Sequence, residues 1–233
     1  MVYNYNNQKG STMEATNLEI LNPANGVFIY KNSLNKSLNL VERLENVISN
    51  NQDKDPFFKW SEAQVGDYQT MKDYRDCVDF KVRKYDITHK QSVVNSDLKN
   101  IYEDIDVRLQ SCLKHYCSMY NIEMRYQEAV NFVKYGPGHH FGVHSDHGFS
   151  YICTVSTVMY LNDNFTGGGL FFPYLNYTYQ PEEGDIVLFP STFIYSHAAL
   201  PVEEGLKYSA VTMFDYNDRA HGANEILRKS TKI

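Results

Sequence analysis

The chain has 233 residues, of which 42% are hydrophobic and 21% charged, so it has a globular composition and the length of one large domain or two small ones. The formal net charge is −6, from 28 acidic against 22 basic residues, which argues against a nucleic-acid partner because phosphate binding needs an excess of lysine and arginine. The sequence has neither an apolar run long enough to cross a membrane nor a basic start followed by an apolar stretch. We therefore expect no membrane partner and a cytoplasmic protein of bacterial or viral origin.

Helical patterns dominate the first half of the chain. Residues 1–17 are polar, rich in asparagine and without periodicity, which predicts a flexible tail. Strands are predicted over Gly26–Tyr30 and Val78–Val82. Apolar residues recur at helical spacing over Ser37–Asn50 and, most regularly, over Asn95–Tyr120, so both segments are predicted to be amphipathic helices.

From Ile122 onward the pattern changes to short alternating segments separated by turn signals such as Gly167-Gly168-Gly169. Strands at this spacing predict an antiparallel sandwich or barrel, and the helices precede it in the chain. The predicted strands are Ala129–Tyr135, Phe141–His144, Cys153–Leu161, Gly169–Phe172, Ile186–Phe189, Ser196–Leu200 and Lys207–Asp215.

Three residues of this second half have the chemistry of a metal site. Residues two apart in a strand face the same side, so His144 and Asp146 are predicted to point into one cavity. His197 opens another predicted strand that can lie alongside. Two imidazoles and one carboxylate on one face form the facial triad of non-haem Fe(II) oxygenases, so the pattern predicts an iron site.

A lysine ten residues after His197 adds a second feature. Lys207 shares its strand face with Val211 and Met213, so its side chain is predicted to point into the barrel. A buried lysine needs an anionic partner or loses its charge. A dicarboxylate cosubstrate would supply that partner.

The surroundings of these residues carry a family resemblance. Residues 135–146 read YGPGHHFGVHSD, which resembles the Y-x-x-G-x-x-F-x-x-H-x-D signature of the prolyl 4-hydroxylase type of 2-oxoglutarate- and Fe(II)-dependent dioxygenases. Residues 160–162 (YLN) and 167–173 (GGGLFFP) are similar to that family's Y-L-N and G-G-x-L-x-F-P segments.

Two further motifs follow in the family's order. Residues 181–190 (PEEGDIVLFP) are similar to its P-x-x-G-D-l-v-l-F-p strand. His197, followed by residues 201–209 (PVEEGLKYS), resembles its H…P-V-x-x-G-x-K/R-x-S pattern. The resemblance covers roughly Gly26 to Asp215 and is strongest from Tyr135 onward.

The resemblance implies a role for each matching residue. His144, Asp146 and His197 are expected to bind Fe(II), and Lys207 to pair with the distal carboxylate of 2-oxoglutarate. Further expected contacts to this cosubstrate come from Tyr135, Tyr160 and Ser209. Ascorbate is expected as a further cofactor.

The same resemblance implies the fold and the domain boundaries. The fold is expected to be mainly β, a double-stranded β-helix (jelly-roll) with N-terminal helices bracing the outer face of one sheet. One oxygenase domain is expected over residues 18–218, with its jelly-roll core at about 122–216 and a polar tail over 219–233.

The implied activity is oxidative decarboxylation of 2-oxoglutarate to succinate and CO₂, coupled to hydroxylation of an unactivated C–H bond. The expected substrate is a proline-containing peptide or protein, hydroxylated as by a procollagen-proline-type prolyl hydroxylase. Alternatives are a free amino acid, another small molecule or a modified nucleobase. A non-catalytic metal-binding jelly-roll is the alternative from another class, and Lys207 argues against it because such a module needs no cosubstrate anchor.

The chain also departs from the family's usual residues. The segment Gly169-Leu170-Phe171 lacks the polar residue often found in that turn, and Tyr208 stands where tryptophan often follows the lysine. Among the other histidines, His139 and His140 are predicted at the rim of the site. His147 is predicted to face away from it, and His221 to be solvated beyond the last strand.

Two long polar loops, Asn51–Asp67 and Val82–Gln91, are predicted to hold the peptide at the mouth of the barrel. The first offers Phe57, Phe58 and Trp60, aromatic surfaces of the kind on which extended proline-rich peptides dock. The alternative is that these aromatic side chains fill the core beneath the helices.

Overall fold

The computed structural model describes residues 2–3, 19–66, 68–148, 151–219 and 221. Most of the tail predicted over residues 1–17 and most of the tail predicted over 219–233 lie outside these described residues.

Within the described residues, four helices precede most of the strands. The helices are α1 (Leu40–Asn51), α2 (Lys84–His89), α3 (Gln91–Val94) and α4 (Asp97–Tyr120). The strands are β1 (Val2–Tyr3), β2 (Ile20–Ala24), β3 (Val27–Tyr30), β4 (Ser61–Glu62), β5 (Arg75–Asp76), β6 (Val78–Val82), β7 (Tyr126–Gln127), β8 (Val130–Tyr135), β9 (His140–His144), β10 (Val155–Tyr160), β11 (Phe165–Gly167), β12 (Leu170–Phe172), β13 (Tyr177–Tyr179), β14 (Ile186–Pro190), β15 (His197–Ala199), β16 (Val202–Gly205) and β17 (Lys207–Asp215).

Two antiparallel sheets form the body of the described chain. The larger sheet has the strand order β1-β2-β3-β14-β10-β17-β8-β6-β4, and β7 also pairs with β17. The smaller sheet has the order β13-β12-β15-β9-β5, and β11 pairs with β16 separately. Side chains from both sheets share interior clusters, as where Val158 and Val187 of the larger sheet pack with Leu170 and Phe172 of the smaller.

The central strands of the larger sheet are buried on both faces. All six residues of β10 are buried, because one face lines the interior between the sheets and the other lies under the helices. Val155 and Met159 join the core cluster beneath the helices, whereas Val158 and Tyr160 join the interior cluster. This alternation places every second residue of β10, β17 and β8 inside the barrel.

Helix α4 braces the outer face of this sheet, as predicted from its periodicity. Ser96 caps its N-terminus by accepting a hydrogen bond from the Leu98 amide at 3.3 Å, and Asn121 ends it in the left-handed conformation at φ 50°. Arg43 of α1 bonds Asp97 and Asp104 of α4, which ties the two helices together. No helix in the described part of the chain combines the length and apolarity needed to cross a bilayer.

The aromatic side chains of the 51–67 loop pack into or against the core, which supports the alternative that they fill the core beneath the helices. Phe58 is fully buried, and Phe57 and Trp60 pack against the cluster beneath the helices. The Trp60 indole donates to Glu45 of α1, which also accepts from Tyr208 at 2.6 Å. Tyr208, on the outer face of β17, thus helps to anchor α1 on the sheet rather than lining the interior.

The prediction of a polar loop over residues 82–91 is also wrong, because most of this segment is helical. It contains helix α2, in which Asp86 accepts a hydrogen bond from the Arg83 backbone amide at 2.8 Å. The helix spans only six residues, too few for an apolar repeat to be visible in the sequence. It buries Ile87 in the cluster beneath the helices.

Candidate metal and cosubstrate site

The fold brings the three predicted metal ligands together. His144 ends β9 and His197 opens β15, and the two lie opposite each other where these strands pair. Strand β9 ends at His144, where the predicted strand also ends, and Asp146 follows in a bend, so strand alternation does not explain how its carboxylate reaches the site. One ligand atom from each of the three residues lies within 4.8 Å of the others.

Both imidazoles are oriented by backbone carbonyls. His144 Nδ1 lies 2.8 Å from the Gly142 carbonyl oxygen and His197 Nδ1 lies 3.1 Å from that of Tyr195. Because a carbonyl oxygen can only accept, each Nδ1 carries the proton and each Nε2 has its lone pair free. Both Nε2 atoms face the same carboxylate, at 3.6 Å from Asp146 Oδ1 and 3.8 Å from Oδ2.

The Asp146 carboxylate is held and kept ionised. Its Oδ2 accepts a hydrogen bond from Ser156 Oγ at 2.5 Å, and the Ser191 hydroxyl in turn donates to Ser156 at 2.8 Å. Burial alone would raise the pKa of Asp146, but the nearby imidazoles and the Ser156 hydroxyl lower it to about 2. Burial lowers the pKa of His197 to about 4. At neutral pH the pair is therefore a carboxylate beside a neutral imidazole, the states in which both bind metals.

The donor set fits a non-haem iron site. Two neutral imidazoles and one carboxylate converge from a single strand pair and the bend that follows it. This combination, rather than the thiolates preferred by structural zinc, is typical of Fe(II) sites with positions left for a cosubstrate and O₂.

Lys207 lies deep inside the barrel, as its strand alternation predicted. It is 2% exposed, and its ammonium donates to the Gly168 carbonyl oxygen at 2.5 Å. Burial lowers the pKa of Lys207 to about 7. Among the described residues, no carboxylate forms an ion pair with this ammonium. Because Lys207 is buried with no anionic partner among the described residues, its ammonium is suited to bind an anionic ligand.

Two tyrosines and a serine surround the lysine. Tyr135 lies opposite Lys207 in the β8–β17 pair, and its ring centroid is 5.1 Å from Lys207 Nζ; that of Tyr160 is 5.5 Å away. The buried Tyr160 hydroxyl has no hydrogen-bond partner in the described structure, and Ser209 lies beside it across the β10–β17 pair. Burial raises the pKa of both tyrosines, so both hydroxyls stay protonated and can donate.

Packing against the Lys207 side chain explains why a glycine occupies position 168. Gly168 has a φ of +64°, and a Cβ at this position would lie 3.1 Å from Lys207 Cδ and from Phe165 Cε2. A larger residue would therefore be strained and would displace the lysine stem. The G-G-x motif thus sets the position of the carbonyl that holds the ammonium.

Comparison with known proteins agrees with this geometry. Residues 130–215 match the family model described as the 2OG-Fe(II) oxygenase superfamily. The matched segment is less than half of the chain, and over this segment the chain is similar to that superfamily. A curated protein of Acanthamoeba polyphaga mimivirus, named "Putative prolyl 4-hydroxylase", is 29% identical over 142 residues, which are 52% of this chain and 53% of the relative. The chain thus spans about half the length of that relative.

Solved structures of 2OG oxygenases share the fold. A Trichoplax adhaerens prolyl hydroxylase, in complex with a peptide fragment of the hypoxia inducible factor oxygen degradation domain, superposes with a TM-score of 0.65 at 18% identity, covering 88% of this chain and 87% of its own. A Pseudomonas putida prolyl-4-hydroxylase gives 0.59 at 17% identity, covering 82% and 92%. The 2OG complex of the collagen prolyl hydroxylase of Paramecium Bursaria Chlorella virus-1 gives 0.56 at 16%, covering 81% and 94%.

These findings confirm two predictions. The fold is a mainly β jelly-roll with bracing helices, and the resemblance to the prolyl 4-hydroxylase type of 2OG oxygenase holds. The motifs from residue 135 onward, on which the resemblance was based, fall almost wholly within the superfamily match.

The other histidines of the described chain lie outside the cluster of His144, Asp146 and His197. His140 is at the exposed rim, near the Asp73 carbonyl, and His139 Nε2 lies 4.0 Å from Asp76. His147 Nδ1 bonds the Cys153 carbonyl at 2.7 Å. The interpretation of His221 as a solvated tail residue is wrong, because its side chain is buried.

His221 packs against the edge of the larger sheet. Its side chain is 6% exposed, stacks on the Tyr126 ring at 3.8 Å, and lies 3.2 Å from carboxylate oxygens of both Glu128 and Asp215. The sequence has no periodic signal for this contact, because His221 follows the last strand and its partners come from two separate segments, Tyr126–Glu128 and Asp215.

One contributor to the site was missed at the sequence level. Ser156, which bonds Asp146, was included only as part of the predicted strand Cys153–Leu161. A small hydroxyl residue on the interior face of a fully buried strand was the available signal, since such a group needs a partner.

Proposed function

We propose that the protein is an Fe(II)- and 2-oxoglutarate-dependent dioxygenase that hydroxylates proline in a peptide or protein. The observation that carries the proposal is Lys207, a buried ammonium with no carboxylate partner among the described residues, in the same barrel as the His-Asp-His cluster. A non-catalytic metal-binding module has no use for this costly burial, whereas a dicarboxylate cosubstrate compensates for it.

Each residue of the site has one task in this proposal. His144, Asp146 and His197 bind Fe(II), which when bound supplies O₂ activation coupled to decarboxylation of 2-oxoglutarate. Lys207 holds the distal carboxylate of this cosubstrate with a charge-assisted hydrogen bond. Tyr160, whose buried hydroxyl is free, donates a second hydrogen bond.

The spacing along β10 suits a five-carbon diacid. Ser156, which bonds Asp146, and Tyr160, beside Lys207, are four residues apart on one strand face. Four residues of strand span about 13 Å. This length accommodates the lysine stem and a cosubstrate that reaches from its distal carboxylate to the metal ligands.

The interior wall beside His197 is apolar. The rings of Phe189 and Phe172, both fully buried, lie 4.7 and 5.9 Å from the His197 ring. They keep water from this side of the metal ligands, which protects a reactive site from side reactions. The overall reaction consumes one C–H bond, 2-oxoglutarate and O₂, and yields one C–OH group, succinate and CO₂.

The finer parts of the proposal rest on the family resemblance. The mimivirus relative is named as a prolyl 4-hydroxylase, and the Trichoplax structure contains a peptide fragment, which supports a proline-containing peptide as the substrate class. We also propose ascorbate as a further cofactor. One domain over residues 18–218 is supported by a core cluster that includes both Ile20 and Phe214.

The substrate class is tested with a panel of peptides, incubated with Fe(II), 2-oxoglutarate and O₂. Proline-containing peptides are expected to stimulate succinate formation and to gain about 16 Da per hydroxylated proline, the mass of one inserted oxygen. Peptides with alanine in place of proline are the matched control and should remain unmodified. If a free amino acid or a nucleobase is oxidised while no proline peptide is, the substrate proposal is overturned.

A further inference from the structure

The metal ligand His144 is stacked on an aromatic ring outside the ligand set. The Phe141 ring lies 3.6 Å from the His144 ring, centroid to centroid, with an angle of 15° between their planes. Two neutral aromatic rings prefer offset or edge-on contacts with centroids at about 4.5–7 Å. A close parallel stack suits an imidazole made electron-poor by a bound metal, since the face of the Phe141 ring attracts positive charge.

A cation occupies the remaining face of this phenylalanine. The Arg75 guanidinium carbon lies 4.8 Å from the Phe141 ring centroid. Because the imidazole covers one face at 3.6 Å, the guanidinium lies over the other. Arg75 also pairs with Phe141 through the backbone, where β5 lies against β9.

Arg75 is itself fixed in place. Its side chain is 14% exposed, and its guanidinium lies 3.1 Å from Asp79 Oδ2 and donates to the Gln64 carbonyl at 2.8 Å. Asn131 of β8 donates to the same Asp79 oxygen. The guanidinium is therefore anchored on the larger sheet while it contacts a ring of the smaller sheet.

The neighbouring residue, Tyr74, holds the backbone of the same strand. The Gly142 amide donates to the Tyr74 carbonyl at 2.6 Å, and the Tyr74 hydroxyl donates to the Val143 carbonyl at 2.9 Å. Gly142 also supplies the carbonyl that accepts from His144 Nδ1. A Cβ at Gly142 would lie 2.7 Å from the Tyr74 ring, so glycine is required for this close contact.

We propose that Arg75 and Phe141 are positioning residues that hold the His144 imidazole in its metal-binding orientation. Phe141 covers one face of the imidazole, and Arg75, anchored at Asp79, supports Phe141. This inference rests on the metal site of the proposed function but requires neither 2-oxoglutarate turnover nor a particular substrate. The inference gives a functional role to β5, a strand of two residues that are only partly buried.

The experiment measures Co(II) affinity and the Co(II) absorption spectrum, with Co(II) as a stand-in for Fe(II) and with no 2-oxoglutarate or peptide present. The Arg75→Gln and Phe141→Leu variants are expected to bind Co(II) about 10- to 100-fold more weakly, the usual cost of removing an outer support of a metal ligand. Their ligand-field bands should also shift, because the imidazole is free to rotate. Arg75→Lys, which keeps the charge, and Phe141→Tyr, which keeps the ring, should restore most of the affinity.

Arg125→Gln is the matched control, since Arg125 is an exposed arginine whose carboxylate partner is its near neighbour Glu123. It should bind Co(II) like the parent protein. If Phe141→Leu fails to fold, the Arg75→Gln and Arg75→Lys pair still decides the test. Parent-like affinity and spectra in Arg75→Gln, or failure of the parent itself to bind Co(II), would overturn the inference. Loss of Co(II) affinity without any hydroxylation by the parent would leave the clamp standing and reject the proposed function.

Discussion

Replacing Asp146 by alanine is expected to abolish 2-oxoglutarate turnover, by about a thousandfold or more, because the metal supplies several kcal/mol of barrier lowering and loses its anionic ligand. Without this carboxylate, two neutral imidazoles remain to bind a divalent cation. Metal affinity should therefore fall together with turnover. Succinate release and Co(II) titration measure the two effects on one preparation.

The matched control for this prediction is His147→Gln. His147 is the next residue in the chain and bonds a backbone carbonyl, but it lies outside the metal cluster. It should keep parent-like turnover and metal affinity. Parent-like turnover by the Asp146→Ala protein with added Fe(II) would show that Asp146 is not a metal ligand.

Replacing Lys207 by methionine is expected to weaken the binding of 2-oxoglutarate. The same change is expected to raise the free energy of unfolding of the cosubstrate-free protein. A charge-assisted hydrogen bond to a buried carboxylate contributes about 1.5–3 kcal/mol, so the Michaelis constant for 2-oxoglutarate should rise about 10- to 100-fold or more. Metal affinity should remain unchanged, because Lys207 contacts none of the three metal ligands.

The stability gain follows from the lowered pKa of Lys207. Burial lowers this pKa to about 7, from 10.5 in the unfolded chain, so between these pH values the unfolded state binds a proton that the folded state does not. The contribution of Lys207 to stability therefore rises from pH 7 towards pH 10 and is most unfavourable below pH 7. Methionine removes this unfavourable contribution.

Urea unfolding at pH 7 and pH 9 measures this effect. Lys207→Met should be more stable than the parent at pH 7, with a smaller advantage at pH 9. The exposed Lys59, replaced in the same way, is the control and should change neither stability nor cosubstrate affinity. An unaltered 2-oxoglutarate dependence of Lys207→Met would remove Lys207 from the cosubstrate site.

The parts predictable from the sequence are those where one local rule decides the structure. Helix α4 follows from its apolar periodicity and its Ser96 cap. The inward direction of Lys207 follows from strand alternation in a segment buried on both faces. In both cases neighbours in the chain carry the information.

The parts that the sequence left open, predicted wrongly or predicted for another reason depend on contacts between distant segments or on bends. Trp60 lies in a polar stretch, and its burial depends on Glu45 of α1 and Tyr208 of β17. His221 follows the last strand, yet it is held by Glu128 and Asp215. Asp146 shares the site with His144 although β9 ends before it, because the bend after the strand, rather than alternation, directs its carboxylate.

The short strands form a third group. Strands β11, β13 and β16 have three or four residues and lie among turn signals, so no alternation could be recognised in them. Strands β11 and β16 pair with each other, whereas β13 pairs with the nearby β12. The partner of β11 lies about forty residues away in the chain, so local sequence patterns do not reveal this pairing.

Labelling with heavy oxygen gas shows whether the protein couples 2-oxoglutarate decarboxylation to C–H hydroxylation, as proposed. The protein is incubated with Fe(II), 2-oxoglutarate, ¹⁸O₂ and a proline peptide that stimulates succinate release. The masses of succinate and of the hydroxylated peptide are then measured by mass spectrometry. We expect one heavy oxygen atom in succinate and one in the hydroxylated peptide, in equal amounts. Succinate without the label, or hydroxyl oxygen taken from water, would contradict it.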